Sequence, residues 1–449
     1  MKCGKKDLKP GINNCSDCVF IFDEMILIYS DTSSTRLQYI CKFIFNEQLG
    51  NTHSITIDIE NFKKHDGPKI NYSNAFIENA FQLKNHSLLF EEGIREQDIS
   101  CFNTGDHKAF FNTPGSDLPF DVFGATFYLL SRYEEYLPHE LDMYGRYAHE
   151  NSLAFKEGFL KLPLINFWMQ DLAAALKDKF PTLNFQLPAF SFIPTYDIDI
   201  AYSFKHKGLL RNLGGFIKNP SLERLTVLSR LKKDPFDSYD LMDSLHEQNK
   251  SDPVYFFLVA TSGSMYDKNI SPYSNAMWQL VKRHSKKYRT GLHPSWRSNK
   301  NSSILKKEKK ILETAGKVPI TMSRQHYIKF SLPLTFEGLI EAGIEKDFSM
   351  GYGSINGFRA SVASPFYWYN LKEEKMTTLQ LCPFCYMDAN SFYEQGYDAT
   401  QAYEEISQYL DVCKKVNGTF ISIFHNNFLG TDKQFAGWKE MYSEFITRI

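Results

Sequence analysis

What most restricts the fold of this chain is a regular alternation of strand-like and helix-like segments in its second half. Short apolar, β-branched runs recur near residues 190–196, 254–260, 289–293, 318–323, 346–350, 377–384 and 419–425. Between them, at 221–232, 238–249, 273–287, 302–315, 333–342 and 398–416, apolar residues return at helical spacing. Such alternation predicts parallel strands joined by helical crossovers, hence a β/α barrel or a doubly wound sheet. A chain of 449 residues exceeds one core of ordinary size, so two domains are expected. The stretch Phe180-Pro-Thr-Leu-Asn-Phe-Gln-Leu-Pro-Ala-Phe190 carries two prolines and no period, which reads as a linker. It divides residues 1–185, a smaller α/β unit, from residues 186–449.

In the first unit, strand-like runs at 18–22 and 54–59 alternate with helical patterns. One helix is predicted over 121–136, after Pro119 and before Pro138, and another near 164–176. No catalytic set stands out there. Arg132, Glu134 and Glu135 read as a solvated or paired helix face.

In the second unit, polar residues gather at the C-terminal ends of the expected strands. Asp197 and Asp199 end Ser191-Phe-Ile-Pro-Thr-Tyr-Asp-Ile-Asp199. Buried carboxylates cost several kcal/mol each unless a metal, a cation or a proton compensates them. His293 follows Arg289-Thr-Gly-Leu, Arg324 and His326 follow Pro319-Ile-Thr-Met, and His425 follows Thr419-Phe-Ile-Ser-Ile-Phe. Asp347 and Asp388 also fall at strand ends, where a turn or capping role is the expectation. In a β/α barrel this end is the catalytic face. Two acids with one or more histidines are a donor set for a divalent cation of the zinc type, which polarises a carbonyl and acidifies its water. A free carboxylate then serves as base and an opposed histidine as acid.

Composition narrows the alternatives. A net charge of -1 argues against a nucleic-acid surface built on bulk charge. No apolar run approaches the roughly 20 residues of a spanning helix. The charged start, Met1-Lys-Cys-Gly-Lys-Lys, has no apolar core after it, so a signal peptide is not expected and a cytoplasmic location is. Eight cysteines fit reduced thiols there. Cys15/Cys18 and Cys382/Cys385 have half-site spacing for zinc, and chance spacing is the favoured reading of both.

At these residues the pattern resembles the polysaccharide deacetylase (NodB-homology) family of carbohydrate esterases, in a branch with an additional N-terminal α/β domain. The resemblance covers residue 190 to about residue 430. Thr195-Tyr-Asp-Ile-Asp199 resembles the family's first motif, His293 the first histidine of its second, Arg324-Gln-His-Tyr327 its third and His425 its last. It implies a deformed (β/α) barrel preceded by a smaller α/β domain, a bound divalent metal, zinc above others, and a carbohydrate substrate that loses an N- or O-acyl group, most simply acetyl. It further implies Asp197 as base, Asp199 and His293 as metal ligands, Arg324 as the residue orienting Asp197, His425 as acid, and the backbone N–H of Tyr196 as an oxyanion donor. The second motif's later histidine is missing. Arg297 stands four residues after His293.

Two outcomes follow from that gap. His326 supplies the third ligand from the next strand, or Arg297 fills the space as a fixed cation and leaves a metal-free protein that binds a glycan or a partner. Arg359 binds an acidic substrate group or pairs with Asp347. A glycosyltransferase that uses Asp197-x-Asp199 leaves His293 and the Arg-x-His-Tyr set unexplained, and a phosphatase lacks its later lysine and acidic pair.

Overall fold

The computed structural model describes residues 25–218, 220–261 and 263–449. The Cys15/Cys18 pair and the strand expected at 18–22 lie outside these residues. Strands β1 (Ile26–Tyr29), β2 (His53–Thr56), β3 (Lys69–Asn71) and β4 (Phe81–Gln82) form a parallel sheet in the order β2-β1-β3-β4. Strands β5 (Phe102–Thr104) and β6 (His107–Ala109) make a separate antiparallel hairpin.

The second sheet has nine strands. They are β7 (Ser191–Ile198), β8 (Val254–Leu258), β9 (Arg289–His293), β10 (Met322–Ser323), β11 (Lys346–Asp347), β12 (Phe366–Asn370), β13 (Lys375–Leu381), β14 (Tyr386–Met387) and β15 (Thr419–His425). Their order is β12-β13-β11-β10-β9-β8-β7-β15-β14. All neighbours are parallel except β12 and β13. The crossover helices stand where the apolar period places them, and local capping starts them. Ser274 accepts the N–H of Met277 at the helix Asn275–Ser285. Asp398 and Gln401 form a reciprocal capping box at Ala399–Lys415.

The expected barrel is not closed: among the described residues no strand pairing joins β13 to β14. The sheet is nevertheless rolled. Seven steps of about 4.8 Å separate those strands along a flat sheet, about 34 Å, whereas the five-residue path from Leu381 to Tyr386 spans at most about 18 Å. The N–H of Cys382 still bonds Asp347 O on β11, and that of Cys385 reaches Ile421 O on β15. Residues 382–385 thus bridge the opening of a C-shaped sheet. Strand β12 adds an antiparallel edge. The tight roll requires close backbone approach at Gly291 in β9, where a Cβ would meet Phe256 Cε1 at 2.5 Å and Met322 O at 3.0 Å.

A continuous apolar core runs through both halves, with members from Ile26 to Ile446. Buried ion pairs cross the same boundary. Arg36 donates through Nε to Glu374 at 2.9 Å, and Arg359 grips Glu135 at 2.8 and 2.7 Å. The expected face of Arg132, Glu134 and Glu135 is therefore buried and paired rather than solvated. Arg359 takes Glu135 as partner, not Asp347, which accepts instead from Ser323 Oγ and Ser349 N. No helix among the described residues is long and apolar enough to cross a membrane.

Candidate metal centre

Residues two apart on a strand face the same side, so Asp197 at the end of β7 and Asp199 just beyond it both look into the mouth of the rolled sheet. β7 lies between β15 and β8, with His425 in register with Asp197. β9 ends in His293, and β10 is followed at once by Arg324 and His326. Parallel register therefore delivers all six side chains to one end of the sheet.

Asp199 is the focus. Its Oδ1 lies 3.0 Å from His293 Nε2, and its Oδ2 lies 3.5 Å from His326 Nε2 and 3.5 Å from His425 Nε2. One donor atom each from Asp199, His293 and His326 lie within 4.8 Å of one another. The far nitrogens decide the tautomers. His293 Nδ1 donates to Arg324 O at 2.5 Å, and His326 Nδ1 to the Asp267 carboxylate at 3.0 Å. Both acceptors are proton-free, so each ring, once its Nε2 is deprotonated, turns that lone pair toward Asp199. Asp199 Oδ1 is buried and has no hydrogen-bond donor. Three electron-rich groups facing one another without a proton between them fit a cation, with the Nδ1 partners as orienting groups.

Without a metal, a proton takes the cation's place. Burial would raise the Asp199 pKa, but His326 and His293 hold it well below the ordinary carboxylate range. Burial lowers the His326 pKa, and Asp199 and Asp267 more than reverse that, to about 9. The site draws positive charge, and protons and metal ions compete for the same lone pairs.

On one flank, Asp197 is held by Arg324. The fully buried guanidinium donates through Nη1 to Asp197 Oδ1 at 2.9 Å and through Nε to Phe348 O at 3.0 Å, and lies over the Phe256 ring at 4.5 Å. On the other, His425 Nδ1 bonds Asp388 Oδ1 at 2.7 Å. Asp388 also accepts the N–H of His425 and of Ala389, so it orients a histidine rather than merely capping a turn. Burial lowers the His425 pKa, but Asp388, then Asp199 and Asp197, lift it to about 10.

Asp197, Asp199, His293, His326 and His425 line a cavity of about 550 Å³, within the range of small-molecule sites. One wall comes from the first half of the chain, through Met143, Tyr144 and Arg146. Arg146 Nη1 donates to Tyr327 O at 2.8 Å. It thereby clamps a segment in which Tyr327 and the β-branched Ile328 both have positive φ, 59° and 52°, a costly backbone state typical of sites held by their surroundings.

Two sequence expectations meet different surroundings. Arg297 is exposed and does not line the cavity, so it does not occupy a ligand's place. Tyr196 is fully buried, and its ring packs against Tyr255 and Tyr442. With strands on both sides its N–H belongs to the sheet ladder, not to the cavity. Cys382 and Cys385 are buried free thiols. Sequence reasoning passed over Asp267, although it follows β8 as the other acids follow their strands, and over the wall at 143–146, which carries no motif.

With this geometry in place, comparison with known proteins adds little beyond distant likeness. Residues 26–181 match the model of a "Family of unknown function (DUF7033)". No curated protein matches the chain. Among solved structures, a Mycobacterium smegmatis protein assigned as a polysaccharide deacetylase is similar over 58% of this chain and 84% of its own, at 12% identity and a TM-score of 0.40. A polysaccharide deacetylase of Bacillus cereus is similar over 58% and 88%, at 9% identity and 0.30. A mutant of a CE4 family pseudoenzyme is similar over 57% and 63%, at 7% identity and 0.30.

Proposed function

We propose that residues 186–449 are the catalytic unit of a divalent-metal-dependent hydrolase that removes an N- or O-acyl group, most simply acetyl, from a carbohydrate. Residues 1–185 would be a smaller α/β domain that walls one side of the cavity. The observation that carries the reading is the convergence of the Asp199 carboxylate with two Nε2 lone pairs whose rings are fixed from behind by Arg324 O and Asp267.

Asp199, His293 and His326 would hold the cation, three protein ligands as catalytic zinc sites commonly have. When bound, it supplies Lewis acidity toward the acyl carbonyl and toward water. Asp197 accepts the proton of the attacking water, and Arg324 fixes the orientation of that carboxylate. His425, protonated and steered by Asp388, donates to the departing amine or alcohol. A metal-free binding protein is the weaker reading, because Arg297, which would have replaced a ligand, is exposed.

The test is metal content of the purified chain by plasma mass spectrometry, then acetate release from acetylated sugars. About one ion per chain, lost in both His293→Ala and His326→Ala, is the expected result. Absence of metal after dialysis against zinc overturns the reading.

A further inference from the structure

Between β7 and β8 the chain makes an excursion, residues 205–233, whose described residues pack little of themselves away. The helix Leu209–Lys218 has no buried residue. Leu209, Leu210, Leu213 and Ile217 are 83%, 85%, 54% and 74% exposed. At 3.6 residues per turn they fall within one arc of about 120°. The following helix, Leu222–Leu228, exposes Leu222 and Leu225, and Leu231 extends the patch. A ten-residue helix without tertiary cover is marginal in water, and an apolar surface of this continuity marks an interaction face.

The charge around it says what the partner is. Eight lysines and arginines between 205 and 233 stand against one acid, Glu223, in a chain of net charge -1. Of the eight, Lys233 has carboxylate partners, Asp237 and Asp240; among the described residues no ion pair involves the other seven. Lysine is depleted in protein–protein interfaces, whereas leucines interleaved with lysine and arginine suit an anionic bilayer surface. The base of the excursion is fixed. Asp234 accepts the N–H groups of Ser203, Phe204 and Lys205 at 2.7 to 2.9 Å. Arg211 donates to Lys268 O and Asn269 O, on the loop whose Asp267 orients His326.

We propose that residues 205–233 dock this chain on an anionic lipid surface, with the leucine face in the headgroup–acyl boundary and the basic residues among the headgroups. The excursion leaves the same end of the sheet that carries the metal ligands, so docking sets the cavity beside the membrane. A lipid-anchored sugar is then the substrate class; this last clause rests on the hydrolase reading, and docking itself does not.

The experiment uses the full chain with vesicles of phosphatidylcholine alone or with roughly a third phosphatidylglycerol, at low and high salt. Co-sedimentation with the anionic vesicles, weakened by salt, is expected. Lys218→Ala with Lys232→Ala lowers partitioning about 25-fold, at about 1 kcal/mol per basic residue. Leu210→Ser with Ile217→Ser lowers it more than about tenfold without altering thermal unfolding, because neither side chain packs in the core. Failure to bind anionic vesicles, or binding indifferent to both pairs of substitutions, overturns docking. So does a concentration-dependent dimer that the Leu210/Ile217 pair abolishes, which would place the face between copies. Asp197→Asn keeps vesicle binding while losing hydrolysis, which separates the two readings. Equal rates on soluble and vesicle-anchored acetylated sugar would sink the substrate clause and leave docking standing.

Discussion

Glu135 offers the sharpest energetic test of how the two halves are joined. Its carboxylate is buried and accepts hydrogen bonds from Arg132 Nε at 2.7 Å and from Arg359 Nε and Nη2 at 2.8 and 2.7 Å. Burial alone would raise its pKa, but Arg359 and Arg132 bring it down from 4.5 to about 2. At 1.36 kcal/mol per unit, that depression is worth about 3 kcal/mol of folding free energy at neutral pH. Because the folded value lies below the unfolded one, the contribution is complete above about pH 4.5 and is lost as the pH falls toward 2. Glu135→Gln keeps the shape, removes the charge and leaves Arg359 without its carboxylate while Arg132 retains Glu134, at a cost of about 3–5 kcal/mol. The assay is denaturant unfolding followed by the fluorescence of buried Trp168, Trp368 and Trp438, from pH 7 downward. The wild-type advantage should narrow by about 2 kcal/mol between pH 7 and pH 3. An unchanged midpoint at pH 7, or a gap indifferent to acid, would refute the reasoning.

Three further outcomes are expected. Asp267→Asn takes the charged acceptor from His326 Nδ1 and should weaken metal affinity about 10- to 100-fold, read by competition with a chromophoric chelator; undiminished affinity contradicts the orienting role. Asp388→Asn should lower kcat about 10- to 100-fold with little change in KM, and a KM effect alone would move Asp388 out of the proton-transfer apparatus. Gly291→Ala drives a Cβ to within 2.5 Å of the Phe256 ring and should destabilise by about 1–3 kcal/mol; a neutral thermal shift would mean that β9 yields easily.

Much of the second half was legible before any coordinates. The strands expected near 190–196, 254–260, 289–293 and 419–425 correspond to β7, β8, β9 and β15, and the six helices between 221 and 416 lie within a few residues of their expected places. Buried parallel strands are continuous apolar runs and crossover helices repeat every 3.6 residues, so both patterns are local. The exposed helix Leu209–Lys218 is not among the expected helices, and its apolar face covers nothing. The deformed barrel is met in part: strand–helix alternation specifies parallel order, and whether the edges meet depends on strand lengths and on the short path through 382–385.

The candidate site divides along the same line. Sequence alone determined which groups reach the C-terminal ends of the strands, since residue type and strand end are properties of a few neighbouring positions. It determined Asp197, Asp199, His293, Arg324, His326 and His425 as the polar set. Only the tertiary structure decided their partners. Asp267 reaches His326 across 59 positions, Asp388 reaches His425 across 37, and Arg359 finds Glu135 across 224. It also turned Arg297 out to solvent and brought Tyr144 and Arg146 into the cavity wall. The physical reason is range: strand and helix periods are written in adjacent residues, whereas burial, charge pairing and the tautomer of a histidine depend on groups that meet only when the sheet has rolled.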